Sequence, residues 1–197
     1  LGYHEWTPIG NTVATSFSGT FDGNGHTVKG LYISKRNTHS DYNYYGLFGI
    51  IRSNSKISDL IIKGTIEIAG LNTKECVGGI VGAAETSSVE NCVSFVNITI
   101  RDASYSSSDA PCIGGVVGKI NNTYQNTISK VTGCSFRGAI ETINTSSSKL
   151  TKGVAGIVGR IEGPAQLQRN ANYGDITADK AYGVGGIVGS INVYDDD

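Results

Sequence analysis

An all-β chain, wound as a right-handed parallel β-helix (β-solenoid) of about five irregular turns with an atypical N-terminal cap, is the fold this sequence predicts, and three observations predict it. The first is a hexapeptide that keeps returning: Val77-Gly-Gly-Ile-Val-Gly82, Ile113-Gly-Gly-Val-Val-Gly118, Val154-Ala-Gly-Ile-Val-Gly159 and Val184-Gly-Gly-Ile-Val-Gly189, with a shorter relative at Gly46-Leu-Phe-Gly49. Its closing glycines stand at 49, 82, 118, 159 and 189, so the spacings are 33, 36, 41 and 30 residues, in the range of stacked supersecondary units. The second is a ten-residue template between the glycine motifs, beginning at Ile57, Val89, Val131 and Leu167. Its apolar positions alternate as in short strands. The third is composition: 27 glycines in 197 residues, no methionine and only three prolines. Glycine at about twice its usual share favours tight corners, and little in the chain favours helix.

Taken in order, residues 1–45 differ from the rest of the chain and form a cap-like segment. Phe17-Ser-Gly-Thr-Phe-Asp-Gly-Asn-Gly-His26 and Thr27 to Ile33 read as two short strands around a turn at Asn24-Gly25, where both residues tolerate positive φ. A stacked array has to shield its first rung, so an atypical start is expected. Residues 46–189 hold the repeats. Each is expected to contain about three short strands, Ile57 to Ile62, Thr65 to Ile68 and Val77 to Val81 in the first full copy. The glycine pair lies in the last of these, where glycine lets another group approach closely. Opposing Phe95, Phe136 or Tyr173 is the candidate to fill that space. Residues 190–197 are a tail. The whole is expected to be one solenoid domain, right-handed because parallel crossovers are.

Repeat length varies at two places. One lies between the template and the glycine motif, at Ala69 to Cys76, Ile100 to Cys112, Glu141 to Gly153 and Thr177 to Gly183. The other joins one repeat to the next. Insertions in a solenoid gather on particular faces, so stacked loops form a candidate binding edge.

Sixteen basic and seventeen acidic residues leave a net charge of -1. That balance excludes nucleic acid and anionic membrane as natural partners, and no apolar run approaches the roughly 20 residues of a membrane span. A start at Leu1 suggests a processed chain or an excised fragment.

The phrase Phe17-Ser-Gly-Thr-Phe-Asp-Gly-Asn-Gly-His-Thr-Val-Lys-Gly-Leu31, followed by Gly46-Leu-Phe-Gly49 and the serial Gly-Gly-Ile-Val-Gly units, resembles GLUG-motif repeat proteins. The resemblance runs from about Trp6 to Gly189. It implies a secreted or cell-surface β-solenoid scaffold or adhesin, of the kind also found beside the catalytic domain of bacterial immunoglobulin-A-cleaving metallopeptidases. It implies no catalytic residues, and the zinc signature His-Glu-x-x-His is absent because His4-Glu5 is followed by Trp6, Thr7 and Pro8.

Four cysteines form two register-matched pairs, Cys76 with Cys112 and Cys92 with Cys134. Neighbouring turns about 4.8 Å apart fall within disulfide reach. Each pair is therefore either a bridge or a stack of small buried thiols. No Cys-x-x-Cys is present to support a zinc site. Asp22-Gly-Asn-Gly-His26 has the spacing of a calcium loop without its later glutamate, and reads first as a side-chain-capped turn. No metal and no cofactor is expected. Tyr42, Tyr44 and Tyr45 lie in an aromatic cluster that either covers an end of the solenoid or stacks on a sugar. Asn97, Asn121 and Asn144 head glycosylation sequons. Acidic residues are scattered, so the paired carboxylates of a glycosidase are not evident. The expected function is a non-enzymatic extracellular structural or adhesive module presenting loops to a cell-surface or matrix glycan or protein. The alternatives are a subunit that meets copies of itself end to end in a filament, and a carbohydrate-active β-helix enzyme.

Overall fold

The computed structural model describes residues 4–36, 44–71, 74–103, 111–122, 127–145 and 151–192. Among these there is no helix, and the strands wind into five coils. The first coil comprises β1 (Thr20–Asp22), β2 (Thr27–Arg36), β3 (Tyr44–Tyr45) and β4 (Phe48–Ile51). The second repeats it as β5 (Lys56–Ser58), β6 (Ile61–Ala69), β7 (Cys76–Gly78) and β8 (Val81–Ala84). The third is β9 (Ser88–Glu90), β10 (Val93–Arg101), β11 (Cys112–Gly114) and β12 (Val117–Asn121). In the fourth the second strand is broken in two: β13 (Ser129–Thr132), β14 (Ser135–Phe136), β15 (Ala139–Ile143), β16 (Gly153–Ala155) and β17 (Val158–Glu162). The fifth is broken likewise: β18 (Ala165–Gln168), β19 (Ala171–Asn172), β20 (Asp175–Ala178), β21 (Val184–Gly185) and β22 (Val188–Asn192).

Equivalent strands pair in parallel from coil to coil and build four faces. The first face is β1-β5-β9-β13-β18 and the third β3-β7-β11-β16-β21. The fourth is β4-β8-β12-β17-β22, and the second runs from β2 through β6 and β10 to the paired fragments of the last two coils. This is the parallel β-helix, with four strands per coil where the periodicity suggested three. The difference has a local cause. The third template position is a left-handed corner in the last four coils: Asp59 (φ 54), Asn91 (φ 52), Gly133 (φ 67) and Arg169 (φ 53). The central glycines form a second corner, because β7 ends at Gly78 and β8 starts at Val81. The hexapeptide is thus two short strands and a bend, where a continuous strand was expected.

Inside, the inward residues of each strand stack on their equivalents from coil to coil. Ile33, Ile66, Ile98, Ile140 and Ile176 form one such column. Phe48, Val81, Val117, Val158 and Val188 form another, and Tyr45, Val77, Ile113, Val154 and Val184 a third. Alternation forces this, since side chains of period two can bury only one set. In the three middle coils these residues are 0–1% exposed. Each is worth about 1.5–3 kcal/mol relative to exposure.

The close approach expected at the glycine pair is real. A Cβ on Gly115 would stand 2.3 Å from the Phe136 ring and from the Gly156 carbonyl oxygen. Phe136 therefore fills the space, as one of the three expected aromatics. Phe95 and Tyr173 do not: the residues that stack with Phe136 are Ser94 and Asn172. Phe95 and Tyr173 are one step along and face outward, under the cations of Lys63 (4.8 Å) and Arg137 (4.3 Å).

At the N-terminal end, Thr20–Asp22 and Thr27–Arg36 of the cap-like segment pair in register with β5 and β6 and so belong to the first coil. The turn between them is side-chain-capped: the Asn24 amide donates to Asp22 Oδ1 at 2.8 Å. What lies over that coil is residues 4–19. Ile9 and Phe17 bridge to Phe48 and Ile51, Trp6 Nε1 donates to the Leu47 carbonyl at 3.1 Å, and the Phe17 ring packs 5.1 Å from that of Phe48. At the other end Ser190–Asn192 complete β22. Val184 (53%), Ile187 (37%) and Ile191 (61%) are exposed there, although their counterparts one coil earlier are buried.

Candidate functional site

All five connections between the second and third faces leave and re-enter the coil at stacked positions. They run from residue 36 to 44, 69 to 76, 101 to 112, 143 to 153 and 178 to 184. On the departing side, Arg36, Ala69, Arg101 and Ile143 are successive register partners. On the returning side, Tyr44, Cys76, Cys112 and Gly153 are. The long segments therefore issue from one edge of the solenoid. Parallel strand register leaves them nowhere else to go.

Beside that edge the outer surface of the second face is polar. Ser34, Glu67, Thr99, Glu141 and Thr177 form one column of register partners. With Lys35, Arg101 and neighbouring Ile68 and Ala69, the first four line a concavity of about 500 Å3. Hydroxyls and carboxylates thus alternate along the axis at steps of about 4.8 Å. The two carboxylates, Glu67 and Glu141, stand two coils apart on an exposed sheet surface. This alignment was missed in the sequence because it recurs in alternate repeats, with Thr99 between.

The loop edge is anchored from within. Lys35, on an inward-facing column above Ile68, is 6% exposed, and its Nζ donates to Glu75 Oε1 at 2.6 Å. The Tyr45 hydroxyl donates to the same oxygen at 3.0 Å. A lysine turned into a core is tolerable only with such a partner, and the pair joins the end of β2 to the residue just before β7. Farther along the edge Asn144, 4% exposed, accepts from the Ala103 amide at 3.0 Å and donates to the Asp179 carbonyl at 2.7 Å, joining three coils. The Thr145 amide and hydroxyl both donate to Asp102 Oδ1, at 2.9 and 2.6 Å.

The expected site residues fall into three groups. Of the tyrosines, Tyr42 lies outside the described residues, Tyr44 is half-buried in the column of Cys76, and Tyr45 is 2% exposed in the core. Tyr45 therefore offers no ring to a ligand. Burial, and then the neighbouring Cys76, pushes the Tyr44 phenol above its ordinary value. Of the sequon asparagines, Asn97 is exposed, Asn121 is half-buried and donates to Glu85 Oε1 at 3.3 Å, and Asn144 is engaged at both ends of its amide. Only Asn97 presents its nitrogen to solvent with no described acceptor.

The cysteines come together as their register implies. Cys76 and Cys112 are Cα partners in β7 and β11, and the neighbouring Cys112 lowers the Cys76 thiol from its ordinary value, while burial and then Cys76 push that of Cys112 well above it. Cys134 and Cys92 are neighbours at the corner between the first and second faces, and the pair lowers the Cys92 thiol and raises that of Cys134. All four are buried thiols. Among the described residues no three His, Cys, Asp or Glu side chains gather as metal ligands.

The solenoid thus gathers its connections between the second and third faces on one edge. Consistent with the glycine pattern, the chain carries the GLUG motif, matched over residues 74–99, which runs from the return of the second connection into β10. It is 32% identical over 113 residues, 57% of this chain, to halomucin of Haloquadratum walsbyi. It is also 35% identical over 88 residues, 43% of this chain, to a protein of Evansella cellulosilytica described as a Gly-rich membrane protein. The aligned stretches cover 1% and 10% of those two relatives. No solved structure matches the chain significantly.

Proposed function

We propose that this chain is a non-catalytic extracellular module whose solenoid holds its loop edge, and the polar concavity beside it, toward a cell-surface or matrix glycan or protein. The observation that carries this reading is the gathering of five connections on one edge, each anchored by buried polar contacts at its foot. A scaffold is rigid where it is stacked and variable where it faces a partner. The names of the two relatives support the surface setting. The non-catalytic reading is supported by Glu67 and Glu141, which lie on open sheet surface without the water-excluding walls that glycoside hydrolysis uses.

The expected result is specific. Replacing residues 104–109 and 146–149 by Gly-Ser linkers lowers binding of the purified chain to immobilised glycans and matrix proteins at least tenfold, with an unchanged β-sheet circular dichroism spectrum. Undiminished binding would remove the loop edge from the account. Release of sugar from a polysaccharide panel, abolished by Glu67→Gln or Glu141→Gln, would replace the module by an enzyme.

End-to-end association is the second reading, supported by the exposed Val184, Ile187 and Ile191 on the edge of the last coil, since an open strand edge invites pairing. It is subordinate because a head-to-tail filament needs both ends open, and residues 4–19 lie over the first coil.

A further inference from the structure

We propose that Cys76 and Cys112 are an oxidation site that closes as an inter-coil disulfide, while Cys92 and Cys134 remain thiols. Both pairs look equivalent in sequence. Their surroundings differ in three respects.

The first is register. Cys76 and Cys112 are directly paired on parallel strands, which places their Cα atoms about 4.8 Å apart, inside the roughly 4.4–6.8 Å range of a disulfide. Closing the bond draws two Cβ atoms from about strand spacing to roughly 3.8 Å. These strands can give, because each is three residues long, follows a long loop and ends in glycine, Gly78 or Gly114. Cys92 and Cys134 instead sit at a corner outside the paired strands.

The second is what each sulfur touches. Cys92 Sγ lies 3.1 Å from the Glu90 carbonyl oxygen and Cys134 Sγ lies 3.4 Å from that of Val89 and 3.5 Å from that of Thr132. Those contacts engage the thiol protons with backbone acceptors, and a bridge would abandon them.

The third is charge. Lys119 stands near both Cys76 and Cys112 and favours the thiolate at each, with Arg160 adding to the effect at Cys112 and Glu162, the partner of Lys119, opposing it at Cys76. The charge near Cys92 is Asp59, which opposes its thiolate. The thiolate is the attacking species in disulfide exchange.

The step balances with a disulfide oxidant such as oxidised glutathione. Cys76 thiolate attacks one sulfur of it and expels a glutathione thiolate. Cys112, having lost its proton, then attacks the Cys76 sulfur of the mixed disulfide and expels the second. The protein gives up two protons and two electrons, and one glutathione disulfide becomes two glutathiones.

The test is to refold the full 197-residue chain in a glutathione redox buffer, unfold it in denaturant with an alkylating agent, and map the peptides without reduction. A Cys76–Cys112 link with alkylated Cys92 and Cys134, and an intact mass lower by two hydrogens before alkylation, is expected. Four alkylated cysteines, or a link that includes Cys92 or Cys134, overturns the proposal. Oxidation should also raise Tm by roughly 5 to 15 °C. That gain should vanish in Cys76→Ser and persist in Cys92→Ser; a gain that survives Cys76→Ser overturns the proposal, and the peptide map of the unsubstituted chain decides should either variant fail to fold.

Discussion

Gly115→Val is expected to destabilise the chain by about 3 kcal/mol or more, whereas the same change at Gly186 is expected to stay within about 0.5 kcal/mol. Both glycines hold the same place in the hexapeptide. A Cβ on Gly115 would meet the Gly156 carbonyl oxygen and two Phe136 ring atoms, all at 2.3 Å. Neither neighbour yields easily: the oxygen belongs to the next coil's backbone, and Phe136 is fully buried in the core. Relief requires two coils to part, which breaks the amide contacts that hold Gly115 to Ala155 and Val117 to Ile157. At Gly186 the only described atom near an added Cβ is Asn172 Nδ2 at 4.0 Å. Urea denaturation of the two variants measures the contrast. Equal effects would mean that the glycine acts through chain entropy, not through coil-to-coil contact.

Glu75→Ala is expected to cost about 3–5 kcal/mol, because it leaves the Lys35 ammonium buried with its carboxylate partner gone. The hydroxyl of Tyr45 loses an acceptor at the same time. The pair itself is not expected to be a large net source of stability, since burying two charges costs much of what their attraction returns. Hence the replacement Lys35→Met, Tyr45→Phe and Glu75→Leu together should recover most of the loss. Denaturation of single and triple variants decides it, and a triple variant no better than Glu75→Ala would assign the cost to packing. The same experiment bears on the loop edge, because Lys35 and Glu75 flank the first two connections.

The five coils were legible because the glycine motif, or its shorter relative Gly46-Leu-Phe-Gly49, returns in every coil, with Ala155 the one substitute among the glycines of the four full copies. The two cysteine pairs were legible for a related reason: equal offsets from a repeating motif become equal heights in a stack. The variable corner was legible as a length difference. What escaped was whatever depends on where the coil bends. Asp59, Asn91 and Gly133 are natural left-handed residues, but Arg169 at the same position hid the corner, and without it the coil read as three strands. Phe95 and Tyr173 stand at the seventh template position and Phe136 at the sixth, so period two puts them on opposite faces. Tyr45 read as part of a cluster covering an end of the solenoid or stacking on a sugar, because its column partners, Val77 and Ile113, lie 32 and 36 residues apart in turn along the chain. The Lys35–Glu75 pair is separated by 40 residues, and no local pattern marks it. The Glu67–Glu141 alignment was hidden by Thr99.

Ser34, Glu67, Thr99, Glu141 and Thr177 are stacked beside the loop edge, one per coil, and the display reading depends on that stack. Spin labels at Ser34 and Thr177, in a chain whose four native cysteines are replaced by serine or alanine, measure it by pulsed dipolar spectroscopy. Four coil steps of about 4.8 Å give a narrow distribution centred near roughly 20 Å. A broad distribution, or one centred beyond about 35 Å, would contradict the stacked coils and with them the single loop edge.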